Sequence, residues 1–428
     1  TGKIWFAKNN TWQSSGNPAA GSNPAATLTT GAPFYFNNHI FNNTWTADFG
    51  QSGFEYTPPT GFKALNTANL PAPTIKDGST NFNVVLYTGT GGVTRSVTGV
   101  GFQPDLVYNK QRNNTSANVI ANAVSGANTF MATDQTTAES SFTNSIYGYL
   151  SSFGSDGYTL TPGSTNNNYW NENAKNFVSY NWLAGNGTAS NEDGSITSTV
   201  SANAAAGFSI VSYTGNATSG ATIGHGLGVA PDVIIVKNRD AADAWQVYHS
   251  GVASDPATDY LVLNTTAASA DNVNRWNDTA PTSSVFSLGN AVEVNTNTED
   301  YVAYCFAGVD GFSNFGSYTG NGSTNGPFVW CGFRPAFVLV KEYTSADDWL
   351  VYDTSRDTYN VAGQVWRPDS SAAEFDGRGG SRDMDILSNG FKFRSSNATM
   401  NGSGVGYIYM AFAEHPFGGD GVAPVPAR

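Results

Sequence analysis

Short runs rich in Val, Ile, Tyr, Phe and Trp alternate along the chain with clusters of Gly, Asn, Ser, Asp and Pro, the pattern of strands and the turns between them. Three runs, Phe177 to Trp182, Tyr301 to Phe306 and Tyr407 to Phe412, are especially aromatic. No stretch holds the 3.6-residue apolar period of a helix for three turns, so few helices are expected.

The runs recur in a fixed order. Tyr87-Thr88-Gly89, Tyr213-Thr214-Gly215 and Tyr318-Thr319-Gly320 open three copies of one segment. A proline follows each tyrosine after 17, 18 and 17 residues, at Pro104, Pro231 and Pro335, and leads an apolar run that ends on Lys110, Lys237 or Lys341. Eight residues past the lysine, copies two and three carry Trp245 and Trp349, read as core; copy one carries Asn118 and is expected to deviate there. The copies start 126 and then 105 residues apart, the size of a sandwich domain and too long for a solenoid unit. The expected fold class is therefore all-β, with tandem antiparallel β-sandwich (jelly-roll or lectin-like) domains over residues 71–185, 186–309 and 310–417 and a tail at 418–428. Gly308 to Gly311 is too short to let copies two and three tumble separately, whereas the polar stretch Gly185 to Gly194 reads as a hinge between copies one and two. The three lysines, each ending a buried strand, are expected to bear structural ion pairs or to snorkel to the sheet edge.

Composition narrows the function. Hydrophobic residues make up 39% of the chain and aromatics 13%, but charged residues only 12%, which implies small β cores under faces of Asn, Thr, Ser and Gly suited to sugars or neighbouring subunits. A net charge of −13 without any Lys/Arg cluster argues against nucleic acid. No apolar run reaches the length of a membrane span, and Thr1-Gly2-Lys3-Ile4 does not read as a signal peptide. Cys305 and Cys331 fall in strands of different copies and read as buried free thiols.

Reactive constellations are not evident. The acids Glu299-Asp300, Asp347-Asp348 and Asp383-Met384-Asp385 are adjacent or two apart, and neighbouring strand residues face opposite ways. His39, His225, His249 and His415 are scattered, with His225 read as a turn residue between two glycines. Asp-Gly pairs such as Asp156-Gly157 read as hairpin turns, not calcium loops. No catalytic residue, metal site or cofactor is expected. Trp170, Trp276 and Trp366, each flanked by Asn, Asp or Arg, are the candidate glycan or inter-subunit contacts, since an aromatic plate beside polar groups suits a sugar ring. The competing reading makes each a lid over the end of a sandwich.

Residues Gly2 to Trp12, together with Gly50 to Phe54 and Pro58 to Asn66, resemble the C-terminal half of a SPRY domain, a two-sheet recognition module; residues 1–70 would form that half. A half sandwich leaves edges bare, so the native polypeptide is expected to continue upstream of Thr1 or a neighbouring subunit to supply the missing strands. A SPRY-like segment followed by repeats with phrases such as Gly207 to Gly215 and Gly224 to Gly228 resembles virion structural proteins of tailed bacteriophages of marine and aquatic type. That resemblance implies a non-enzymatic fibre, spike, appendage or head decoration, located in the virion. Its partners would be other virion proteins, copies of itself in a homo-oligomer such as a trimer, and host-surface glycans. A secreted bacterial adhesin and, at greater distance, a polysaccharide depolymerase are the alternatives.

Overall fold

The computed structural model describes residues 2–27, 54–64, 67–70, 72–141, 147–164, 169–252, 255–419 and 425–428. They form two compact units, residues 1–72 with 418–423, and residues 73–417 with 424–428. In the first, Ala7–Lys8 pairs with Thr11–Trp12 across Asn9 and Asn10, whose φ angles of 49° and 60° supply the left-handed turn a tight hairpin needs. Gly50 to Gly53 lie outside the described residues.

The second unit holds the three copies, and among the described residues its only α-helices are three single turns. Each copy is built on one large antiparallel sheet that contains the same trio. Asn176–Trp182 lies between Phe82–Thr88 and Leu106–Gln111 in the first copy, and Asp300–Phe306 lies between Phe208–Thr214 and Val233–Asn238 in the second. In the third, Gly406–Pro416 lies between Ser313–Thr319 and Phe333–Glu342. A smaller sheet covers one face: three strands in copies one and three, two in copy two. The tandem β-sandwich expectation holds.

The sandwiches are not beads on a string. Their middle strands are buried on both faces, which explains why Tyr301 to Phe306 and Tyr407 to Phe412 read as continuous apolar runs; the copy-one strand is as buried but takes in Ser179 and Asn181. One face packs on the copy's own small sheet, through Val107, Val119 and Leu160 in copy one and Val211, Ile234 and Phe286 in copy two. The other face meets the other two copies in a shared core. There Phe82 stacks on Phe412 at 5.0 Å, Trp182 meets Phe412 edge-on at 5.6 Å, and Phe306 meets Phe412 at 5.8 Å. Each aromatic pair adds about 1 kcal/mol to its area burial. The stretch from Gly185, expected to be a hinge, is instead clamped. Buried Asp105 accepts the Ala184 and Asn186 N–H groups at 2.8 and 3.1 Å, the Gly185 N–H reaches Ser201 Oγ at 2.9 Å, and Ala189–Asn191 joins the sheet of copy two. Asp232 repeats the clamp at the next link, accepting the Gly308 N–H at 2.8 Å.

Candidate functional site

The Tyr-Thr-Gly landmark is a structural device. Tyr87, Tyr213 and Tyr318 stack on Phe177, Tyr301 and Tyr407 at 5.0, 5.2 and 4.9 Å. Their hydroxyls donate to the carbonyls of Trp170, Val294 and Met400 at 2.7 to 2.8 Å. The glycine that follows must lack a side chain, because a Cβ at Gly89, Gly215 or Gly320 would run into the carbonyl of Glu172, Thr296 or Gly402. A buried asparagine, Asn171, Asn295 or Asn401, then accepts the N–H of the next residue, Thr90, Asn216 or Asn321, at 2.8 to 2.9 Å.

Trp170 therefore sits inside this corner and is 1% exposed. Trp276 ends the single helical turn Val273–Trp276 and packs edge-on against Tyr248 at 6.1 Å, 2% exposed. Trp366 is wholly buried, stacked on Tyr180 at 5.9 Å with its indole N–H donating to the Tyr180 hydroxyl at 2.8 Å. None of the three presents a ring face to solvent, which removes them as glycan contacts. Asn171 beside Trp170 is itself buried, its amide donating to the Gly91 carbonyl at 3.0 Å, while Arg275 and Arg367 are held half-buried by Glu293 and Asp348 at 2.8 and 2.9 Å, so a polar flank did not mean a wet loop.

What the repeat does build is a ring of three equivalent seams. Lys237 of copy two donates to the Thr136 carbonyl of copy one at 3.1 Å, Lys341 of copy three to Thr266 of copy two at 3.1 Å, and Lys110 of copy one to Ser371 of copy three at 3.1 Å. Two residues past each lysine, the carbonyl of Arg239, Tyr343 or Arg112 accepts the N–H of Glu139, Ser269 or Glu374 at 2.8 to 2.9 Å. The Arg239–Glu139 and Arg112–Glu374 side chains pair as well, at 2.6 and 2.7 Å. Trp245 and Trp349 send their indole N–H groups to the Ala132 and Val262 carbonyls at 3.0 and 3.2 Å. Asn118 replaces them at the third seam, its amide donating to the Arg367 carbonyl at 2.9 Å, while Trp366 from copy three fills the volume beside Tyr108 at 5.2 Å.

A polar residue crosses each seam too. Asn122 donates to the Tyr304 hydroxyl at 3.1 Å, and His249 Nε2 lies 3.1 Å from the Tyr409 carbonyl. Asp353, paired with buried Arg356, accepts the Tyr180 hydroxyl at 2.7 Å. The order one to two, two to three, three to one closes a head-to-tail ring within a single chain.

The lysine expectation is corrected accordingly. Among the described residues no carboxylate pairs with Lys110, Lys237 or Lys341; the three lysines are buried with their ammonium groups among backbone carbonyls, and desolvation lowers each pKa to about 8. Burial likewise lowers His249 to about 4 and raises the Cys305 and Cys331 thiols, both free and buried as read. His225 is buried beside the Thr282 carbonyl, and His39 lies outside the described residues. Among the acids, Asp385 pairs with Arg394 at 2.5 Å, Asp348 with Arg367 at 2.9 Å, and Glu299 accepts from Asn238 at 2.6 Å, whereas Asp383 is buried with its Oδ1 left without a hydrogen bond. Asp156 occupies a tight hairpin, accepting the Gly101 N–H at 2.7 Å. Among the described residues no three His, Cys, Asp or Glu side chains gather where they could share a metal ion, and no helix is long and apolar enough to cross a membrane.

On the ring, an open groove of about 470 Å³ runs along Gly185 to Asn191 beside Val200 and Gly226, and a smaller one of about 230 Å³ lies among Asn83, Ser355 and Glu414. A cavity of about 50 Å³ lies where the copies meet, among Tyr108, Trp245, Tyr304, Phe337 and Met410, far below the ~300 Å³ of a ligand pocket. In the first unit, a groove of about 620 Å³ runs between Trp12, Tyr56, Phe62, Lys8 and Lys63. On the ring, Phe328 and Trp330 stand exposed on one strand. Residues 77–416 match the family model described as a domain of unknown function, DUF7483, and the chain belongs to that family. The matched span takes in all three copies, so the family's unit is the whole ring and not one sandwich. No curated protein matches the chain.

Proposed function

We propose that this DUF7483 protein is a non-enzymatic structural and binding component of a phage virion, in which the ring is a rigid platform within a fibre, spike, appendage or head decoration. The observation that carries the scaffold reading is the set of three equivalent seams. They occupy the buried lysines, His249 and Asp353 in holding copies together, leaving those titratable groups no pocket in which to act on a substrate. The virion setting is supported by the resemblance of the repeat phrases to tailed-phage proteins. Contacts with other virion proteins, with further copies of the chain and with host glycans then fall to surfaces outside the seams, because the ring completes itself within one polypeptide. Antibody labelling of purified particles, viewed by electron microscopy, tests the assignment: decoration at regular sites is expected, and particles free of the protein would refute it.

A further inference from the structure

The threefold repeat supplies its own control for which side chains the fold requires. In the small sheet of each copy, one strand turns a buried residue inward, Val97, Ile223 or Val329, opposite Tyr158, Phe286 or Phe391. Its two neighbours lie on the opposite face. Copy one has Ser96 and Thr98 there, both exposed, and copy three has Phe328 and Trp330. Copy two has Thr222 and Gly224, covered by the segment from Asn191 to Ile196. Only copy three carries aromatics at these positions, and they are 46% and 53% exposed. Small residues serve the same exposed face in copy one, so packing does not call for the rings.

Their surroundings are defined. Gly390 lies directly across from Trp330, leaving the space beside the indole open on that side. Lys392 lies across from Phe328 and Asp385 across from Lys392, so all three share the outer face. Asp385 is held by Arg394 at 2.5 Å, and Phe417 meets the Trp330 ring edge-on at 5.5 Å. The rings are thus held beside a row of hydrogen-bonding groups.

We infer that Phe328 and Trp330 form a carbohydrate platform that takes neutral pyranose rings, the apolar C–H face of a sugar stacking on the aromatics while Lys392 and Asp385 meet its hydroxyls. Two half-exposed rings offer on the order of 200 Å², well under the ~800 Å² per partner of a stable protein interface, which favours a small polyhydroxylated ligand over a protein. The chain's net charge of −13 disfavours an anionic one. This inference rests on the reading of the ring as a binding platform.

Affinity electrophoresis of the full chain tests it, in gels cast with dextran, galactomannan or a β-glucan and, as an anionic comparison, alginate. Trp330→Thr and Phe328→Ser install side chains that the first copy already uses, so their melting temperatures should match the parent. Retardation by at least one neutral polysaccharide, weakened about tenfold or more by Trp330→Thr, is expected. Retardation that survives both substitutions overturns the site while leaving glycan binding in place. No retardation in any neutral gel overturns the inference and leaves the virion assignment to the particle labelling. Self-association in sedimentation that Trp330→Thr abolishes would make the patch a protein contact and overturn it too.

Discussion

The three seam lysines make the ring's stability depend on pH in an unusual direction. Each has a folded pKa of about 8 against an ordinary value of 10.5. Between those values the unfolded chain binds more protons than the folded one, so stability rises with pH. Each lysine contributes a slope of up to about 1.4 kcal/mol per pH unit, and the three together about 4. The two buried thiols, raised above their ordinary value, oppose this as the unfolded chain ionises them from about pH 8 upward, and the buried tyrosines join near pH 10. Between about pH 8 and 9 three lysines outweigh two partly ionised thiols. Unfolding free energy from guanidinium titrations at pH 7.5, 8.0, 8.5 and 9.0 should climb through that range, and Lys237→Met should flatten the climb by about a third or more. Its absolute stability will differ, because the Thr136, Asn238 and Ala241 carbonyls lose their donor; the slope is the diagnostic. A flat or falling curve, or one that Lys237→Met leaves unchanged, would refute the account of these groups as buried charges.

On the acid side, His249 is held neutral at the second seam with a pKa of about 4, so its contribution, present above pH 6.5, is lost as pH falls toward 4. His249→Asn should flatten the acid limb of a melting-temperature profile, after allowing for Asp369, whose pKa of about 6 acts in the opposite sense. Asn118→Trp, which restores the residue of the other two copies, should destabilise by about 1–3 kcal/mol because Trp366 already fills the site, and Trp366→Ala by about 3–5 kcal/mol; chemical denaturation reads both. Gly320→Ala should cost about 2–4 kcal/mol in the same assay, since its Cβ meets the Gly402 carbonyl, whereas the open Gly404, at a φ of 75°, should cost less.

Much of the fold was legible because strand and turn chemistry is local. The Tyr-Thr-Gly and Pro-to-Lys phrases mark the shared trio of each large sheet, and the aromatic runs mark its middle strand. The ring was not legible, because its acceptors at Thr136, Thr266 and Ser371 are backbone carbonyls, which leave no mark on residue type. A faint trace exists: two residues before each acceptor stands Asp134, Asn264 or Asp369, whose side chain accepts the N–H of Asn118, Trp245 or Trp349. The continuous apolarity of Tyr301 to Phe306 was a second trace, since a sheet with one face in water would alternate. Trp170, Trp276 and Trp366 misled because a polar neighbour can be folded in with the ring, buried as Asn171 is or ion-paired as Arg275 and Arg367 are. Nothing in Phe328-Val329-Trp330 alone marks an outward ring; the comparison with the exposed Ser96 and Thr98 of copy one sets it apart.

Closure of the three copies into one body is tested most directly by small-angle X-ray scattering on residues 73–428. A compact ring of this length should give a radius of gyration of about 20 Å. Three sandwiches strung in line would give on the order of 30 Å, and that result would contradict the seams on which the account is built.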